Sequence, residues 1–243
     1  MNTNNNSAIV ANLSAEGIPM SALRKTALVA GVLYLLTFVS IPTLALYSEI
    51  HLPGYVIGSG TDNKAIIGGI SEITVALAGI GTAIALYPVL RKQSEGLALG
   101  LVASRILEAS TMFVGVAFIL SIVTLRQSGI GTEAMASSHA LVSLYDRIFL
   151  LGQSFMPAIN DLLLGLLLYK SRLVPRSLAL IGIFGAVPLI AGYFAVLFGI
   201  IGQHSALAGL SALPVALFEF SLGIYLVTKG FRPSHNKPAS DGN

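Results

Sequence analysis

The chain has no cysteine and no tryptophan, and only 10% of its 243 residues are charged. Without cysteine there are no disulfides, no thiolate metal sites and no cysteine nucleophile. So low a charge content, against roughly 25% in soluble domains, combines with 54% hydrophobic residues to exclude a water-soluble globule. The charges are also bunched, leaving apolar runs of about 20 residues, enough to cross a hydrocarbon core of roughly 30 Å at 1.5 Å per helical residue. Thr26 to Tyr47 is such a run, and it lacks the apolar–polar alternation of barrel strands. An all-α integral membrane bundle is therefore expected.

Other absences narrow the chemistry. No lysine falls inside an apolar run, which removes an ordinary retinal Schiff base. There is no phosphate-cradling glycine loop, no H-E-x-x-H pair and no intramembrane histidine to activate a serine. No familiar catalytic constellation and no cofactor is expected, although a carboxylate-only or lipid-modifying site stays open.

What is present organises the chain into six transmembrane spans, at about 26–47, 65–90, 97–125, 141–169, 177–202 and 206–228. The first is too long for a signal-peptide core and lacks a following A-x-A cleavage pattern, so it reads as a retained anchor. Polar tails, residues 1–23 and 230–243, read as disordered. Pro42, Pro157, Pro188 and Pro214 lie inside spans and predict kinks. Arg24 and Lys25, Arg91 and Lys92, Lys170, Arg172 and Arg176, and Lys229, Arg232 and Lys237 recur at every second boundary, whereas the opposite side has Lys64 and Arg126. Basic loops stay cytoplasmic, so both termini are placed in the cytoplasm of a cell whose inner or plasma membrane holds the protein. The net charge of +3 then reflects topology and anionic lipid, and no nucleic-acid partner is expected. Tyr47, Tyr87, Tyr169 and Tyr225 fall near span ends, as interfacial anchors do. The similar ends of spans two, four and six, such as Ala85-Leu86-Tyr87 and Leu167-Leu168-Tyr169, allow a three-hairpin repeat or chance likeness in apolar sequence.

Ionisable groups inside spans carry the functional signal, since each costs a few kcal/mol or more and faces a partner or a watery cavity. Arg105 and Glu108 on the third span share a helical face, and rise arithmetic puts Arg105, Asp161 and Glu219 at one level, roughly 12–15 Å from the cytoplasmic boundary. One arginine against three carboxyls predicts that at least one carboxyl is protonated or holds a cation. These four form the candidate site for an ion, a proton or a small polar ligand, with a structural polar clamp as the rival reading. Asn160 and Gln153 add polar groups on the same helix as Asp161, without a fixed direction for Asn160. Glu72, Asp146 and Arg147 form a weaker candidate in the outer half. Asp146 and Arg147 are read as interfacial, at the outer end of a surface helix from Glu133 to Tyr145. His51, His139 and His204 map to the outer loops with Glu49, Asp62 and Glu133, but no ligand spacing links them, so they read as solvent-facing and no metal site is expected. Gly96 and Gly100, and Ala191, Ala195 and Gly199, allow close helix packing.

Three function classes remain. The first is a small transporter, channel or ligand-binding receptor using the buried carboxyls and Arg105. The second is a membrane-embedded interaction or regulatory subunit whose polar contacts are structural. The third is an intramembrane lipid-modifying enzyme. Three segments carry a resemblance: Arg24 with Ala30-Gly31-Val32-Leu33-Tyr34-Leu35-Leu36, Arg105-Ile106-Leu107-Glu108-Ala109, and Leu173-Val174-Pro175-Arg176-Ser177-Leu178-Ala179-Leu180-Ile181-Gly182. Together they resemble uncharacterised bacterial multi-pass membrane proteins of domain-of-unknown-function family 4386. The resemblance runs from Arg24 to about Thr228 and implies a bacterial inner-membrane protein, with no activity and no functional residue to carry over.

Overall fold

The computed structural model describes residues 20–232, and those residues are helices joined by short connections. We label the α-helices α1 (Met20–Thr37), α2 (Thr43–Leu46), α3 (Asn63–Leu90), α4 (Glu95–Gln127), α5 (Ala134–Phe149), α6 (Met156–Ser171), α7 (Arg176–Leu197) and α8 (Ala206–Thr228). Six helical stretches are long and apolar enough to cross a membrane. The tails expected to be disordered lie outside the described residues, except that 20–23 begin α1 and 230–232 follow α8.

Two stretches differ from the expected continuous spans. The first helix ends at Thr37, passes through a 3-10 turn at Phe38–Ser40 and resumes only as the short α2. Pro42 has no N–H to donate and its ring crowds the carbonyl four residues back, so an α-helix cannot run through 38–42. The fourth stretch shows the reverse: α5 passes through a π-helical turn, Leu150–Phe155, directly into α6. The resulting 41-residue stretch, Gly131–Ser171, is unbroken at Asp146 and Arg147, so these residues do not end a separate surface helix. Pro157 sits in the first turn of α6, where the widened π turn removes the need for its N–H. Pro188 and Pro214 lie inside α7 and α8.

The spans pack in ring order. α1 lies against α3 and α8, α3 against α4, α4 against α5 and α6, α6 against α7, and α7 against α8. Small residues face inward and large apolar ones outward, the arrangement suited to lipid, where close backbone approach drives association. On α7, Gly182, Gly185 and Ala186 are buried while Phe184 and Val187 are exposed. Among the small residues singled out in sequence, Gly96 meets nothing that a Cβ would touch, whereas Gly31 and Gly223 pack backbone to backbone across α1 and α8. Arg24 closes the same seam by donating to the carbonyls of Leu226 (2.9 Å) and Val227 (2.6 Å), where a helix C-terminus leaves carbonyls unpaired and favours positive charge. Ser94 and Ser205 cap α4 and α8 by accepting from Leu97 and Ala208 N–H groups.

Candidate functional site

Two buried polar networks lie inside the ring, at different depths. The deeper one is built on α4. Arg105 and Glu108, one turn apart, bond at 2.9 Å, and Arg105 also reaches Glu219 of α8 at 2.5 Å and the Tyr34 hydroxyl of α1 at 3.3 Å. The Tyr34 ring lies against the guanidinium, with 5.6 Å between the guanidinium carbon and the ring centroid. From α6, Asn160 donates to Glu108 at 2.7 Å and accepts from Ser104 at 2.5 Å. The candidate residues Arg105, Glu108 and Glu219 therefore meet in one cluster, joined by Asn160, Ser104 and Tyr34.

Asp161 is the exception within this group. It is completely buried, within Coulombic reach of Glu219, Arg105 and Glu108, yet neither of its oxygens has a hydrogen-bond partner among the described residues. Arg105 Nε is likewise unpartnered. An ionised, unbonded carboxylate at this depth costs several kcal/mol, and the single guanidinium is already divided between two other carboxylates. Charge balance therefore leaves room for protons or a cation. A cavity of about 210 Å³ opens beside the cluster, lined by Arg105, Glu108 and Glu219 on one side and by apolar residues such as Phe38, Val75, Met112 and Leu189 on the other.

The second network surrounds Glu72 of α3, which is 1% exposed. Its carboxylate accepts from Tyr145 at 2.8 Å, Gln153 at 3.1 Å and Tyr47 at 3.4 Å. Two glycines make this convergence possible. A Cβ on Gly68 would lie 2.4 Å from the Tyr47 ring, and one on Gly152 would lie 1.8 Å from Thr111 Oγ1, so only glycine lets α2 and the π turn approach this closely. Tyr47 is thus a buried donor and not the interfacial anchor its place near a run's end suggests. Glu72, Asp146 and Arg147 do not bond to one another: Arg147 is exposed, and Asp146 bonds at 3.1 Å to His51, which in turn meets the Tyr47 carbonyl and the Tyr145 ring beside the Glu72 network.

The loops at this end of the bundle are also tied by charge. Arg126 pairs with Asp62 at 3.0 Å and donates to the Gly58 and Gly60 carbonyls, and its guanidinium carbon lies 4.7 Å from the Tyr55 ring centroid. Burial raises Asp62, but the bonds from Gln127, Tyr55 and Arg126 outweigh it and hold the carboxyl below its ordinary value. Burial, together with the bond to Asp62, pushes Tyr55 up to about 12. His51 is raised above its ordinary value by its bond to Asp146, against the effect of burial.

Sequence reasoning missed Tyr34, Ser104 and the direction of Asn160. Tyr34, one turn after the conspicuous Ala30-Gly31 pair, gave no signal beyond being a polar-tipped ring in mid-span.

Comparison with curated proteins and with solved structures gives no match. A family model described as "Domain of unknown function (DUF4386)" matches residues 29–230, which includes both polar networks. The chain belongs to the DUF4386 family.

Proposed function

We propose that this protein is a small transporter or ligand-binding receptor that holds a proton or a small cation at the Arg105–Glu108–Asp161–Glu219 cluster. The observation that carries the reading is Asp161, a fully buried carboxyl with two unpartnered oxygens beside an arginine already shared by Glu108 and Glu219. A purely structural residue would be expected to find a donor, because an unsatisfied buried polar group costs about 1–3 kcal/mol. The adjoining cavity, lined by Arg105, Glu108 and Glu219, gives space beside the cluster, and its excess of carboxylates over guanidinium favours a cation over an anion. The basic residues gathered at the end of the bundle that carries the N-terminus of α1 and the C-terminus of α8 support placing both termini on the cytoplasmic side of the membrane.

A second reading, an interaction or regulatory subunit, draws on the bonded chain Ser104–Asn160–Glu108–Arg105–Glu219, which would clamp α4, α6 and α8 whatever their function. Thermal unfolding of the purified, detergent-solubilised protein across pH and a panel of cations separates the two. A condition that stabilises the parent but not Asp161→Asn or Glu219→Gln supports the binding site. Equal responses in all three proteins favour the clamp.

A further inference from the structure

At the end of the bundle remote from the Arg105 cluster, two connections meet helix α5. His51 comes from the segment between α2 and α3, Asp146 from α5, and His204 from the loop between α7 and α8. One ligand atom from each lies within 4.8 Å of the other two. We infer that His51, Asp146 and His204 form a binding site for a divalent transition metal of the zinc class, with solvent completing the coordination.

The orientation of His51 is the strongest argument. Its Nδ1 lies 2.9 Å from the Tyr47 carbonyl, which can only accept, so Nδ1 carries the hydrogen. In the neutral ring, Nε2 then presents a lone pair, and it does so 3.1 Å from Oδ1 of Asp146, another acceptor. Two lone pairs at that distance need a proton or a metal ion between or beside them, and the third ligand atom, from His204, is what distinguishes a metal site from a simple ion pair. A histidine whose far nitrogen is fixed by a backbone carbonyl is also how metal-ligating imidazoles are oriented.

The other parts fit the same chemistry. His204 approaches with its ring centroid 5.6 Å from that of His51. Its loop is held against α5 by Gln203, whose Nε2 donates to the Asp146 carbonyl at 2.9 Å. Ligands about 2.0–2.1 Å from zinc in a tetrahedron stand about 3.3 Å apart. The His51–Asp146 pair is already close to this spacing, and His204, exposed on its loop, has to close in by up to about 1.5 Å. Two imidazoles and one carboxylate suit zinc-class ions and discriminate against magnesium and calcium, which prefer all-oxygen shells. Bound metal would staple the two connections to α5. His139, the remaining histidine outside the tails, is exposed on α5 and lies outside the cluster.

The test is zinc titration of the full-length protein, stripped with chelator and held in detergent, by calorimetry and by thermal unfolding. His204→Ala is the main variant because its exposed side chain can be removed without opening the core, Asp146→Asn is the second variant, and His139→Ala is the control. The expected result is one zinc per chain with a raised Tm in the parent and in His139→Ala, and affinity at least about tenfold weaker in His204→Ala and Asp146→Asn at unchanged metal-free Tm. Cobalt(II) should give visible absorption that these two variants lose. No zinc uptake by the parent, or equal uptake by His204→Ala and His139→Ala, would overturn the site and leave a proton between His51 and Asp146.

Discussion

Glu72 and Asp161 are both carboxyls at membrane depth with no more than 1% of their surface exposed, and they are housed in opposite ways. Glu72 has three neutral donors and no basic partner. Asp161 has an arginine and two other carboxyls nearby and no donor among the described residues. The first is what a fold does with a buried acceptor it means to satisfy. The second is a charge problem left open, and it is the open one that adjoins the larger acidic cluster. The difference separates a structural carboxyl from a functional candidate on hydrogen-bond accounting, where burial alone would rank them equally.

The comparison can be broken in several places. Replacing Arg105 by Met should have the largest effect, about 3–5 kcal/mol of destabilisation, because Glu108 and Glu219 lose their shared counter-charge while staying buried. Loss of folded protein in detergent, or a large drop in Tm, is the expected readout.

Glu72→Leu comes next. It strands the Tyr47 and Tyr145 hydroxyls and the Gln153 amide, at about 1–3 kcal/mol, whereas Glu72→Gln, which keeps an acceptor, should lose less. Thermal unfolding of the two variants side by side checks the ordering, and equal losses would mean that the donors around Glu72 do not matter.

Asp62 tests the loop end and should have a smaller effect, on the order of 1 kcal/mol or less for a partly exposed ion pair. Because its folded value is depressed, its contribution is present above the unfolded carboxyl value near 4 and is lost as pH falls through the folded value. Acid-side melting curves of Asp62→Asn should lack that contribution. Smallest of all is the expected effect of Asp161→Asn on stability at neutral pH, close to zero, since no bond is removed.

Much of this architecture was legible in the sequence because membranes impose simple rules. Apolar run lengths fix the number of spans, and rise per residue brought Arg105, Asp161 and Glu219 to one level before their contacts were known. Phase around the helix was less accessible. Asn160 and Asp161 are neighbours, yet one completes the Glu108 network and the other bonds to nothing, a distinction that depends on side-chain direction and neighbouring helices. The break after Thr37 is larger than the kink that Pro42 predicts within a continuing span. That break is what turns Tyr47 inward. His51, Asp146 and His204 come from two loops and a helix far apart in the chain, so no spacing rule could bring them together.

The most direct test of the central claim is the Tm of the parent, Asp161→Asn, Glu219→Gln and Glu72→Gln across pH and a panel of monovalent and divalent cations. The account predicts a pH or cation response in the parent that Glu72→Gln keeps and that Asp161→Asn and Glu219→Gln lose. A response shared by all four proteins, or absent from the parent, would contradict it.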